Sequence, residues 1–123
     1  MNFSKKILLV EDSPFQRTIC VSQLKQVGFE NIEVADDGNV GYSMLEEGDF
    51  DLVLCDWEMP ELNGIQLLKK VKKNAALQPI PFLMLTSIDD HERLQEAIEA
   101  GALDYIVKPG TPDLFKEKLG KHI

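Results

Sequence analysis

The sequence predicts an α/β domain, a parallel sheet of five strands with five helices covering both faces. Three observations carry this. Short apolar, β-like runs alternate strictly with longer helix-like runs along all 123 residues. The run Leu52-Val53-Leu54-Cys55 is apolar at every position, as a strand covered on both sides requires. Helix-start and helix-stop residues fall at the run boundaries: Ser13-Pro14 and Thr111-Pro112 at starts, Gly28, Gly48 and Gly101 at stops.

In order, Lys6-Ile7-Leu8-Leu9-Val10 reads as a buried strand. Ser13 suits an N-cap, Pro14 the first helical position, and Gln16 the far half of a capping box. The helix carries Phe15, Ile19, Leu24 and Val27 and stops at Gly28. Ile32-Glu33-Val34-Ala35 is a second strand, and Asp36-Asp37-Gly38 a turn. A second helix runs from Asn39 to Glu47, and Leu52–Cys55 is the third strand. The third helix spans Gly64 to Asn74, and Phe82-Leu83-Met84-Leu85 is the fourth strand. The fourth helix covers Asp90 to Ala100, Tyr105-Ile106-Val107 is the fifth strand, and the last helix reaches Lys121. Right-handed crossovers leave few topologies for such a chain. No repeat or linker interrupts the pattern, so residues 1–123 read as one domain.

Composition narrows the function classes. The net charge of −8 disfavours binding to nucleic acid or an anionic membrane. No apolar run approaches the ~20 residues of a membrane helix, and Met1 to Lys6 lacks the apolar stretch of a secretory signal. A cytoplasmic protein is expected. Cys20 and Cys55 sit in apolar surroundings without CxxC spacing and read as reduced core thiols. His91 and His122 have no neighbour at zinc-ligand spacing and read as exposed.

In a parallel sheet of this kind, ligands bind beyond the carboxyl ends of the strands. Glu11 and Asp12 follow the first strand, Asp56 the third, Thr86 and Ser87 the fourth, Lys108 the fifth. Each has a plainer explanation when taken singly. An acidic pair is often a helix cap, an Asp at a strand end a turn former, a Lys before Pro a solvated side chain, and a Thr a strand terminus. Specificity lies in the conjunction. Three carboxylates at one rim repel one another and raise at least one pKa unless a cation joins them. Magnesium takes one or two carboxylates and keeps its other positions for water or phosphate oxygens. Lys108 then supplies a point charge for a phosphate and Thr86 a hydroxyl donor. A nucleophilic Asp, a metal, a cation and a hydroxyl are the parts of phosphoryl transfer.

With these residues the chain resembles the receiver domain of two-component response regulators, most of all the single-domain chemotaxis regulators. Glu11-Asp12, Asp56, Thr86 and Lys108-Pro109 match at their strand ends. Asp56-Trp57-Glu58-Met59-Pro60 with Asn63-Gly64 resembles the family's phosphorylation loop, and Ala100-Gly101-Ala102 is also typical. The match spans essentially the whole chain. It implies a flavodoxin-like sheet in the order 2-1-3-4-5. It implies that Asp56 accepts a phosphoryl group from a histidine kinase's phosphohistidine. It implies Mg²⁺ on Asp12, Asp56 and the Glu58 backbone carbonyl, with Glu11 acting through a water. Thr86 and Lys108 hold the phosphate, Thr86 and Tyr105 form the switch, and Lys108–Pro109 is a cis peptide. A downstream protein then reads the face of the fourth helix, fifth strand and fifth helix. The resemblance implies a phosphoacceptor with intrinsic self-phosphorylation and self-dephosphorylation chemistry rather than an enzyme. It is expected to be a monomer, one that can dimerise on phosphorylation.

Some positions depart from the family. Glu11 stands where Asp is usual. Gly110 stands where a bulky apolar residue is usual, which predicts lost packing and a more mobile partner-binding face. Glu58 and Ile88 stand two positions beyond Asp56 and Thr86, where the family tunes hydrolysis of the acyl phosphate. Ile88 cannot orient a water and Glu58 adds negative charge, which predicts a long-lived phosphorylated state. One rival is a haloacid dehalogenase-type Mg²⁺ phosphatase, which would carry its nucleophile after the first strand and its acidic pair late. A flavodoxin-like cofactor binder would need a glycine-rich phosphate loop where Glu11-Asp12 stand. A degenerate receiver, used only to bind protein, would lack a site residue. A receiver cut from a larger protein, or a relay intermediate outside chemotaxis, remains the alternative within the family.

Overall fold

A computed structural model describes residues 2–87 and 91–123. Five strands and five helices alternate: β1 (Ile7–Val10), α1 (Pro14–Val27), β2 (Ile32–Ala35), α2 (Gly38–Glu47), β3 (Leu52–Asp56), α3 (Gly64–Lys72), β4 (Phe82–Thr86), α4 (His91–Ala100), β5 (Asp104–Val107) and α5 (Pro112–Gly120). All strands pair in parallel in the order β2-β1-β3-β4-β5, as expected.

Period-two alternation divides the core into two layers. Ile7, Leu9, Leu52, Leu54, Leu83, Leu85 and Ile106 meet Cys20 and Leu24 of α1 and Phe115 and Leu119 of α5. Leu8, Val10, Val53, Cys55, Phe82 and Met84 meet Leu45 of α2, Leu67, Leu68 and Val71 of α3 and Ala97 of α4. The three central strands are buried at every position, while edge strands β2 and β5 are only partly covered. Burial closes both thiols off and pushes both up, Cys20 to about 12.

Several local expectations shift. Asp56 and Thr86 are the last residues of their strands rather than the first beyond them. α3 ends at Lys72, two residues short of Asn74. The expected start of the fourth helix at Asp90, and Ile88 with it, lie outside the described residues. Ser13 does cap α1 by accepting from the Gln16 N–H, but Gln16 does not return the bond. The complete capping box is at α3, where Asn63 and Gln66 exchange both bonds. Phe15 is 74% exposed rather than in the core. With Ile19 it lines an open groove of about 320 Å³ that runs to Glu11 and Lys108.

Packing at Gly110 is not lost. A Cβ there would lie 2.7 Å from Phe115 Cε2, so that ring already fills the space. Gln23 Nε2 also donates to the Gly110 carbonyl at 2.7 Å, tying the turn to α1. His122 is half-buried rather than exposed, with Nε2 3.6 Å from Asp104 Oδ2. Asp104 also accepts from Lys118 Nζ at 2.8 Å and the Tyr105 N–H at 2.9 Å. Burial pushes the Asp104 carboxyl up, but Lys118 and the Tyr105 N–H outweigh it and hold it below the usual range.

Two outcomes follow. Gly64 has no room for a side chain, since a Cβ would lie 2.4 Å from the Asp56 carbonyl oxygen and 2.6 Å from Met84 Cε. Gly64→Ala is expected to cost about 1–3 kcal/mol in urea unfolding, in the range of overpacked cores. A depressed folded pKa at Asp104 means stability present above the unfolded carboxylate value and lost as pH falls through the folded one. Asp104→Asn therefore loses about 1 kcal/mol near neutrality. That difference should close in unfolding curves taken below the ordinary carboxylate range.

Candidate functional site

The site forms where the strand order reverses between β1 and β3, at the carboxyl ends of the strands. The ladder continues past each strand: Glu11 N–H donates to Ala35 O at 3.0 Å, Trp57 N–H to Leu85 O at 2.8 Å and Lys108 N–H to Thr86 O at 2.6 Å. The alternation thus extends to the rim. Glu11, Asp56 and Lys108 continue the side facing α1 and α5, while Thr86 continues the other side.

Among the described residues, the buried polar or charged side chains are Glu11 (1% exposed), Asp56 (5%) and Thr86 (1%). All three belong to the predicted constellation. Buried polar groups are costly unless compensated, and the compensation here is specific. Lys108 Nζ lies 2.6 Å from Glu11 Oε1 and 3.0 Å from Asp56 Oδ1. Glu11 Oε2 accepts from the Ser13 N–H at 3.4 Å, and Arg17 Nη1 donates to the Glu11 carbonyl at 3.0 Å. Half-buried Asp12 completes a cluster in which one oxygen of each of Glu11, Asp12 and Asp56 lies within 4.8 Å of the others. The Lys108–Pro109 peptide is cis.

Burial, then the bond to Asp56, raises the Glu11 carboxyl above its usual range, against the pull of Lys108. Burial and neighbouring Glu11 raise Asp12. Burial lowers Lys108, but Glu11 and Asp56 outweigh it and hold the ammonium above its usual value. One ammonium does not balance three carboxylates. An all-oxygen, anionic donor set with unrelieved repulsion suits a hard divalent cation such as Mg²⁺.

Glu58 is exposed, and its carboxylate pairs with Arg93 of α4. The Arg93 guanidinium also lies over the Trp57 ring, 5.0 Å from its centroid. The charge expected from Glu58 is therefore paired rather than loose beside Asp56. Nothing in the sequence marked Arg93 as the partner, because the ion pair spans 35 residues. Tyr105 is half-buried, packs against the layer of α2, α3 and α4, and carries Lys118 Nζ 5.2 Å from its ring centroid.

The doubly wound sheet thus gathers three acids and a lysine at the carboxyl ends of its strands, with a buried threonine ending β4, the form of a signalling receiver. Residues 7–120 match the response regulator receiver domain family, and the chain belongs to it. It is 44% identical over 121 residues to chemotaxis protein CheY-3 of Vibrio cholerae, covering 98% of this chain and 93% of that protein. It is 40% identical to chemotaxis protein CheY of Pseudomonas aeruginosa over 116 residues, covering 94% of each. The solved structure of Vibrio cholerae CheY4 superposes with a TM-score of 0.89 at 30% identity, covering 98% of this chain and 99% of that one. The function is phosphorylation-dependent signalling. Receiver domains take phosphate from histidine kinases, bind downstream targets, and hold Mg²⁺ at an acidic cluster. Among the described residues no helix is long and apolar enough to cross a membrane.

The repulsion in the cluster has a measurable consequence. A raised carboxyl pKa means that the charged form costs stability at neutral pH and that the cost fades as pH falls into the carboxylate range. Asp12→Asn is expected to raise the melting temperature of chelator-treated protein by on the order of 2 °C. Mg²⁺ should raise the melting temperature of the parent more than that of the variant.

Proposed function

We propose that Asp56 is the phosphoacceptor of a single receiver domain spanning residues 1–123, with a role in chemotaxis signalling. The observation that supports this best is the burial of Asp56 at a strand end between the Lys108 ammonium and two further acids. An Asp56 carboxylate oxygen forms a bond to phosphorus as the P–N bond of a kinase phosphohistidine breaks. The electron pair stays on the imidazole nitrogen, which takes a proton as it leaves. Bound Mg²⁺ supplies charge neutralisation for the transferring group. Asp12, Asp56 and the Glu58 carbonyl would hold it, the first two within the acidic cluster. Glu11 stands behind them, both of its oxygens already accepting bonds.

Lys108 exchanges its bond to Asp56 for one to a phosphoryl oxygen, and the Thr86 hydroxyl donates to another. Both moves bring added negative charge under fixed donors. Thr86 closing on the phosphoryl group frees space on the side of the sheet that also carries Tyr105. Tyr105 then turns inward, and the face of α4, β5 and α5 presents a new shape to a protein target. Self-phosphorylation from small donors and self-dephosphorylation belong to the same site. The pairing of Glu58 with Arg93 leaves that carboxylate unable to activate water, which favours a long-lived phosphorylated state.

Trp57 is the sole tryptophan, adjoins Asp56, and is buried. Its fluorescence is expected to change with Mg²⁺ and again with a small phosphodonor such as acetyl phosphate. Asp56→Asn should abolish the second change. A phosphodonor response that survives in Asp56→Asn would refute the assignment, and decay of the phosphorylated state within seconds would refute its long lifetime.

A further inference from the structure

Gln16 does not close the capping box of α1. Its carboxamide oxygen accepts from Lys108 Nζ instead, 92 residues away in the chain. An ammonium has three N–H donors, and Lys108 has three acceptors: Glu11 Oε1 at 2.6 Å, Asp56 Oδ1 at 3.0 Å and Gln16 Oε1. Two of these belong to the acidic cluster. Gln16 is neutral and lies outside it, on the helix that covers the side of the sheet continued by Glu11, Asp56 and Lys108.

We propose that Gln16 is a positioning residue for phosphoryl transfer, holding the Lys108 ammonium beside the site while a divalent cation occupies the carboxylates. The inference rests on the assignment of Asp56 and Lys108 above. The ammonium and the cation have like charge and draw on the same oxygens. A cation drawing on Asp56 and its neighbours weakens the Lys108 bonds to them. The Lys108 side chain is only 17% exposed, so water cannot fully replace those bonds. Without a further acceptor, Lys108 competes for the carboxylates and opposes the cation. The Gln16 carboxamide supplies that acceptor without adding a fourth negative charge to the cluster. It also leaves the ammonium one bond exchange away from an arriving phosphoryl oxygen.

Gln16→Met keeps the side-chain length and helix propensity and removes the acceptor. Titrating Mg²⁺ against Trp57 fluorescence is expected to show binding about three- to tenfold weaker than in the parent, the loss of roughly one hydrogen bond. Acetyl phosphate at saturating Mg²⁺ should phosphorylate the variant about threefold more slowly, a change of that same order. The melting temperature in chelator should change little, because Gln16 is exposed and, with no cation bound, Glu11 and Asp56 still hold Lys108. Gln16→Glu restores an acceptor and should return Mg²⁺ affinity to the parent level or above. If Gln16→Met binds Mg²⁺ as tightly as the parent, or Gln16→Glu fails to restore affinity, the proposal is overturned whatever the phosphorylation rate does. A parent that does not respond to Mg²⁺ would overturn both this inference and the assignment it rests on. A parent that responds while Gln16→Met matches it overturns only the role of Gln16.

Discussion

The structure depends on one electrostatic conflict: three carboxylates are held within 4.8 Å of one another against a single ammonium. In water, this arrangement would relax by rotation and screening. At the rim of a sheet covered on both faces it cannot, because Glu11 and Asp56 are buried and their backbones are locked into the ladder. The burial that raises Glu11 and Asp12 leaves an all-oxygen, anionic cluster whose repulsion a hard divalent cation would relieve. The stability forgone at the rim is supplied by the apolar strands beneath it, a division of labour common at functional sites.

The alternation of the strands gives this site two sides. Glu11, Asp56 and Lys108 continue the layer beneath α1 and α5, so the charge conflict is read by α1 through Gln16 and Arg17. Thr86 continues the opposite layer, which Tyr105 shares, since Met84 pairs with Tyr105 across β4 and β5. Asp56 and Thr86, at the ends of adjacent strands, therefore face opposite helical layers. Arg93 adds a link from the loop after β3 to α4 through Glu58 and Trp57.

Much of this was legible in the residues. Continuous apolar runs marked β1, β3 and β4 because strands buried on both sides need no polar face. The glycine of Asn63-Gly64 was legible as part of a motif, but its reason is a backbone approach to Asp56 that leaves no room for a Cβ. The failures have physical causes too. Phe15 fits a helical apolar pattern, yet α1 buries Cys20 and Leu24 and leaves Phe15 at the open groove beside Lys108. Gln16 matches a capping-box spacing, yet a charged donor from β5's end outcompetes the Ser13 N–H, which Glu11 takes. Gly110 looked like lost packing because the ring that fills its space, Phe115, comes from the next helix.

The sequence by itself determined the order of strands and helices, the layers they bury, and which polar residues end the strands. Local periodicity and turn chemistry encode these, and both act over a few residues. Only the tertiary structure decided which of those polar groups meet. Lys108 reaches Glu11 across 97 residues and Gln16 across 92, and Glu58 reaches Arg93 across 35. Such pairs depend on strand order, on the reach of long side chains, and on which acceptors are left free once the backbone is satisfied. No local pattern carries that information, so these polar groups were visible as a set of residues before they were visible as a site.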